Sequence, residues 1–200
     1  VSIESIKQIN APKIFQLYFH KDRGLTNSMI DKCKSYNIDA LALTVDTITG
    51  GNRERDLKTG FTSPPKITLK SFLSFLFHPK WTLNFLLRKK FDLPFLSEFV
   101  KEGTDIRISV SDYFSNMLDQ NMNWDDAIEI KKRWNGVFCL KGIMSKEDAI
   151  KAVDIGADAI MISNHGGRQL DGSRSPFDQL DEIVDAVAGK IDIICDGGIR

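Results

Sequence analysis

The chain reads as an α/β protein of the (β/α)8 TIM-barrel class, incomplete here, with about five of the eight strands within its 200 residues. Three observations predict this. Short apolar runs alternate with amphipathic helical stretches, polar residues stand at the carboxyl end of each run, and the later runs are separated by one helix each. A doubly wound sheet has the same alternation, but polar groups at every strand exit suit a barrel mouth better.

Composition narrows the class further. An apolar content of 42% excludes a disordered chain, and 27 basic residues against 27 acidic ones leave no global field to attract nucleic acid. Cys33, Cys139 and Cys195 are widely spaced and odd in number, which predicts neither a disulfide framework nor a zinc site. No pair among His20, His78 and His165 has helical ligand spacing, so no metal centre is expected. The opening Val1-Ser2-Ile3-Glu4 has neither a starting methionine nor a leader pattern, and the chain is expected to be a piece of a longer protein.

The first strand is predicted over 13–20, with Gln16, Tyr18 and His20 on one face by the two-residue period. A helix over 26–36 follows, capped by Thr26 or Asn27, and residues 39–46 form the second strand. The polar stretch 47–56, with Gly50, Gly51, Arg53 and Arg55, leaves the carboxyl end of that strand, where barrels keep their chemistry. Residues 1–200 make one partial domain, interrupted by an insertion at 57–110.

The insertion has no acidic residue from Leu57 to Phe91, yet it carries Lys58, Lys66, Lys70, Lys80 and Arg88 beside Phe72, Phe75, Trp81 and Phe85. Its apolar run is too short to span a bilayer. Such a composition fits a segment, 66–91, lying in an anionic membrane interface, or a helical excursion packed on its own barrel or on a sister subunit.

Helices are expected at 111–120 and 124–134, the latter with a stripe of Trp124, Ala127, Ile128, Ile130 and Trp134. A buried strand at 137–143 holds Lys141, and a capping-box pattern at Ser145 and Asp148 starts the next helix, which Gly156 stops. A strand at 159–163, a helix over 176–188 and a strand from Ile191 to Cys195, ending in Asp196-Gly197-Gly198, complete the series.

The strand exits carry the chemistry. After the strand at 159–163 comes Ser163-Asn164-His165-Gly166-Gly167-Arg168-Gln169, which places a base and a permanent cation three residues apart in a glycine-rich loop. His165 can accept a proton near neutral pH, and Asp46 can orient its imidazole and stabilise the charged form. Arg53 and Arg168 can clamp a carboxylate with paired hydrogen bonds, which favours a small anionic acid as substrate. Lys141 can neutralise negative charge on a cofactor ring. The amides of Gly197 and Gly198 can receive phosphate, with Arg200 as counter-charge.

The stretch from Ser163 to Gln169 resembles the signature of the FMN-dependent α-hydroxy-acid dehydrogenases and oxidases. Gln16-Leu17-Tyr18, Thr44-Val45-Asp46, Arg53-Glu54-Arg55-Asp56, Lys141-Gly142 and Asp196-Gly197-Gly198-Ile199-Arg200 are similar to that family's motifs in the same order. The resemblance implies that Gln16, Thr44, Lys141, Ser163 and 196–200, including Asp196, Gly197, Gly198 and Arg200, surround FMN. It implies that Tyr18, Arg53 and Arg168 meet the substrate, and that His165 is the base with Asp46 behind it. His78-Pro79-Lys80-Trp81 and the 124–134 helix are most similar to bacterial L-lactate dehydrogenases that pass electrons to a membrane quinone.

That likeness implies oxidation of L-lactate to pyruvate, a quinone or other electron acceptor, a homo-oligomer, and a cytoplasmic location, peripheral on the cytoplasmic face of the inner membrane. Glycolate and mandelate enzymes share the machinery, and an oxygen-using oxidase is the alternative. One departure stands out: Thr47-Ile48-Thr49-Gly50-Gly51 lacks the proline that relatives usually carry there. A reading of another class is a non-catalytic fragment that binds a membrane surface; a third is a barrel that binds some other phosphorylated ligand through 196–200.

Overall fold

The computed structural model describes residues 3–48, 51, 54, 58, 68–87, 117–169 and 172–198. A short helix α1 (Ile3–Ile6) precedes strand β1 (Ile14–Tyr18), helix α2 (Arg23–Ser35) and strand β2 (Ala40–Thr44). Helices α3 (Leu69–Phe77), α4 (Pro79–Leu87) and α5 (Trp124–Trp134) lie between β2 and β3 (Val137–Lys141). Then come α6 (Lys146–Asp154), β4 (Ala159–Ile162), a single 3-10 turn (His165–Gly167), α7 (Pro176–Val187) and β5 (Asp192–Cys195).

The five strands are all parallel and neighbour one another in chain order, β1-β2-β3-β4-β5. A doubly wound sheet reverses its strand order at a switch point; this sheet does not, so it is a wall of a (β/α)8 barrel. The register aligns Tyr18, Thr44, Lys141, Met161 and Ile194 on one rung. Gln16, Ala42, Cys139, Ala159 and Asp192 lie on the rung two residues below. Both rungs share a face, since side chains alternate along a strand.

The opposite face carries the core. Leu17, Leu41, Leu43, Phe138, Leu140, Ile160 and Ile162 pack with Met29, Ile30 and Cys33 of α2, Ala127, Ile130 and Trp134 of α5, Ala149 and Ala152 of α6, and Ile183 and Val187 of α7. Each large aliphatic buried there contributes roughly 1.5–3 kcal/mol. On the inner face the small side chains of Ala42, Cys139 and Ala159 form a separate cluster with Met161. Their size leaves room above them for the polar rung.

Local chemistry sets the helix ends, with some departures from expectation. Helix α2 starts three residues early, because Asp22 rather than Thr26 caps it and accepts from the Leu25 amide at 3.1 Å. Thr26 is buried, donates its hydroxyl to the Asp22 carbonyl and accepts from the His20 amide. The reciprocal capping box is at Asn123 and Asp126 of α5, while Ser145 accepts from the Asp148 amide at 3.1 Å to open α6.

His20 lies beyond the strand that carries Gln16 and Tyr18. Strand β1 ends at Tyr18, and His20 is buried in an antiparallel bridge with Leu118. That bridge is fixed by Lys21 N–H donating to the Met117 carbonyl and Asp119 N–H donating to the Phe19 carbonyl, both at 2.9 Å. Burial pushes the His20 imidazole down to about 4, against the opposing charge of Asp22. Residues 118–120 are therefore a bridge and turn, not the end of a helix; 111–116 lie outside the described residues.

Between β2 and β3, Thr68 caps α3 by accepting from the Ser71 amide at 3.2 Å. The His78 ring binds the Ser74 carbonyl, and Thr82 donates to the Phe75 carbonyl at 2.8 Å, which holds α3 and α4 as a hairpin. Phe75, Trp81 and Phe85 stack in series, with centroids 5.6 and 5.2 Å apart. The hairpin buries no large apolar side chain, and Phe77 and Leu87 are 80% and 75% exposed. No helix among the described residues is long and apolar enough to cross a membrane.

Candidate active site

The carboxyl ends of the five strands bring most of the sequence-predicted residues to one place. Gln16 of β1 reaches the next strand: its amide donates to the Thr44 hydroxyl at 3.1 Å and to the Tyr18 hydroxyl at 3.2 Å. Thr44 is buried on the same rung as Tyr18, so the two strands present one continuous row of polar groups.

Lys141, on the next strand, is 8% exposed. A buried ammonium needs partners, and it finds them across β4 and β5. It donates to the Ser163 hydroxyl at 3.0 Å and lies 3.5 Å from the Asp196 carboxylate. Ser163 donates in turn to Asp196 at 2.8 Å and accepts from the His165 amide at 3.2 Å. A single buried hydroxyl thus joins the lysine, the carboxylate and the loop that carries His165.

His165 has a left-handed backbone, φ 58°, which costs a non-glycine residue of order 1–3 kcal/mol and is held by its surroundings. Ser163 takes its amide, and Asn164 accepts from the Gly167 amide through its side-chain oxygen at 3.2 Å. The imidazole Nδ1 lies 3.0 and 3.1 Å from the two oxygens of Asp46. Because a carboxylate only accepts, Nδ1 carries the proton and Nε2 is left with the basic lone pair. The Tyr18 ring is 6.5 Å from the imidazole, centroid to centroid.

Asp46 itself is seated tightly. Gly142, with φ +107°, packs against it, and a Cβ added there would lie 2.6 Å from Asp46 Cβ. From the other side Gln169 donates to the Asp46 carbonyl at 3.3 Å. Gly51 approaches the Arg168 carbonyl so closely that a Cβ would overlap it, so the loops after β2 and β4 are laced together.

Arg168 is exposed at the rim, and among the described residues its guanidinium has no ion-pair partner. Gly197 and Gly198, both with positive φ, are exposed beyond β5, and added side chains there would meet mostly open space. Arg53 and Arg200 lie outside the described residues. Cys139 lies one rung below Lys141; burial pushes its thiol up to about 11, so it stays protonated and is no nucleophile at neutral pH. No group of three possible metal ligands occurs among the described residues.

Gly142, Asn164 and Gln169 are the participants that residue chemistry alone did not single out. They titrate nothing. The one available signal was position: a glycine next to a strand-end lysine, and two amides flanking the His-Gly-Gly turn.

Fold and site together define a barrel protein whose strand ends hold a carboxylate-oriented imidazole beside a buried, hydroxyl-linked lysine. The profile of the FMN-dependent dehydrogenases matches residues 1–200, and the chain belongs to that family. An L-lactate dehydrogenase of Acinetobacter baumannii is 38% identical over 193 residues, 96% of this chain and 50% of the relative. The crystal structure of the monotopic membrane protein (S)-mandelate dehydrogenase superposes with a TM-score of 0.87 at 32% identity, over all of this chain and 52% of that one. A mandelate oxidase structure gives 0.71 at 30% identity, over all of this chain and 48% of that one. The chain spans about half the length of the curated relatives it matches.

Family membership makes FMN the cofactor. The donor chemistry fits that group. An amide, a hydroxyl and an ammonium line the inner face for a ring rich in carbonyl and nitrogen acceptors, and the two glycine amides after β5 suit an anion.

Proposed function

We propose that the full-length protein oxidises a small L-2-hydroxy acid to the 2-oxo acid with FMN as its cofactor, and that L-lactate, giving pyruvate, is the substrate. The Asp46–His165 pair, with Nδ1 tied to carboxylate oxygens at 3.0 and 3.1 Å, is the observation that carries this reading. The substrate loses its α-hydrogen and its hydroxyl proton as the carbonyl forms. When bound, FMN supplies the two-electron acceptor.

The chain's own residues do the rest. His165 takes a proton at Nε2, and Asp46 stabilises the imidazolium that results. Arg168 and Arg53 bind the substrate carboxylate, with Tyr18 beside them. Lys141 and Gln16 meet the ring, Thr44 and Ser163 orient them through the hydrogen bonds described above, and Asp196, Gly197, Gly198 and Arg200 bound the phosphate end. The L-lactate dehydrogenase relative supports lactate as substrate; the mandelate enzymes support the same chemistry on a larger acid.

The electron acceptor in this reading is a membrane quinone. The α3–α4 hairpin attaches the protein peripherally to an anionic membrane surface at the cytoplasmic face. Its exposed aromatic side chains and the absence of acidic residues from 57 to 91 support that attachment, as does the relative described as a monotopic membrane protein.

Anaerobic addition of L-lactate, glycolate and (S)-mandelate to full-length holoprotein tests the reading. Bleaching of the flavin spectrum, fastest with L-lactate, is expected; failure of every 2-hydroxy acid to bleach it would sink the proposal.

A further inference from the structure

Asp46 packs against a residue with no side chain. A Cβ built on Gly142 would lie 2.6 Å from Asp46 Cβ, 2.7 Å from its Cγ and 3.0 Å from its backbone nitrogen. Two of these are main-chain or first side-chain atoms, which cannot swing away as the end of a flexible side chain can. Neither partner can retreat as a unit: Val45 N–H donates to the Lys141 carbonyl at 2.8 Å, and Gly142 N–H donates to the Met161 carbonyl at 3.0 Å. The backbone at 142, φ +107°, is also one that side-chain-bearing residues rarely adopt.

We propose that Gly142 is a positioning residue for the base: it is the seat against which Asp46 is pressed, and it thereby fixes the Asp46–Nδ1 hydrogen bond that leaves Nε2 of His165 basic. This rests on the reading of His165 as the proton acceptor. The peptide that carries Lys141 to the Ser163–Asp196 chain is the same one that seats Asp46, so the lysine and the base share one main-chain support. Gln169, donating to the Asp46 carbonyl, closes the seat from the opposite side.

The test is a double-variant cycle in the full-length holoprotein: Gly142→Ala, Asp46→Gly and both together. Gly142→Ala is expected to slow anaerobic flavin reduction about a hundredfold, as a displacement on the scale of 1 Å does. In the Asp46→Gly background, where the struck Cβ and Cγ are gone, the same change is expected to cost less than about threefold. Equal loss in both backgrounds, or a rate for Gly142→Ala within about threefold of wild type, overturns the proposal.

A second readout does not depend on turnover. With 15N-labelled histidine, the Nδ1–H tautomer of His165 is expected in the wild type and is expected to be lost in Gly142→Ala as it is in Asp46→Gly. An unchanged tautomer overturns the seat even if no 2-hydroxy acid proves to be a substrate, a result that would instead sink the functional reading. Should Gly142→Ala be too unstable for a turnover assay, urea unfolding reads the same cycle: the φ strain at 142 falls on both backgrounds alike, so a smaller loss of stability in the Asp46→Gly background supports the contact and an equal loss overturns it.

Discussion

Asp46→Asn isolates the charge behind the His165 imidazole, because asparagine keeps the shape of aspartate and one acceptor oxygen. In the wild type both carboxylate oxygens lie within 3.1 Å of Nδ1, and both side chains are mostly shielded from water. A charge-assisted hydrogen bond of this kind is worth roughly 1.5–3 kcal/mol, about twice a neutral one. It strengthens as His165 becomes positive, so the loss falls on the reacting state rather than on binding. Because asparagine keeps a neutral bond, the deficit is about 1–1.5 kcal/mol, which corresponds to a rate lower by roughly 5- to 13-fold. Stopped-flow measurement of anaerobic flavin reduction at saturating hydroxy acid reads this directly, with flavin content as a check on folding. A rate within about threefold of wild type would refute the assignment of Asp46 as the group that stabilises the imidazolium.

Two other features give measurable expectations. Replacing Phe72, Trp81 and Phe85 with serine removes half-exposed aromatic surface from the α3–α4 hairpin, each side chain worth up to roughly 1.5–3 kcal/mol when buried; co-sedimentation with anionic phospholipid vesicles should fall at least about tenfold while flavin reduction is unchanged, and undiminished sedimentation would argue against the hairpin as the attachment. His20, held down to about 4 by burial, gives a stability that depends on pH: the unfolded chain binds the proton from about 6.5 downward while the folded form refuses it until about 4. Its contribution is therefore full above pH 6.5 and is lost on acidification toward pH 4, by at most about 3 kcal/mol, and His20→Gln should flatten that limb of a urea-unfolding series; an equal slope in the variant would remove His20 as its cause.

The barrel was legible because its logic is repeated. Each apolar run followed by a polar exit gives the same instruction, and the sequential parallel order of the five strands follows from short one-helix connections between the later ones. The clustering of the polar groups was legible for a related reason. A histidine next to two glycines, an aspartate just beyond Ala40–Thr44 and a lysine at the end of Val137–Lys141 all stand at strand exits, and the strands bring them together. What escaped was determined by contacts distant in sequence. His20 follows the two-residue period of β1, but the strand ends at Tyr18 and His20 is buried at the bridge with Leu118. Asp22 wins the cap of α2 from Thr26 because the threonine hydroxyl is engaged by the His20 amide and the Asp22 carbonyl. Gly142 reads as an ordinary strand-end glycine until Asp46, 96 positions earlier, is found against it. Arg53 and Arg200, two of the predicted anion contacts, lie outside the described residues.

The most direct test of the whole account is the reductive half-reaction of full-length holoprotein carrying His165→Gln. Glutamine preserves volume and polarity but cannot take the proton at neutral pH. The variant is expected to keep its FMN and to lose reduction by L-lactate by at least about a thousandfold. A variant that binds FMN and is still reduced within about tenfold of the wild-type rate would contradict the claim that the imidazole held by Asp46 is the base.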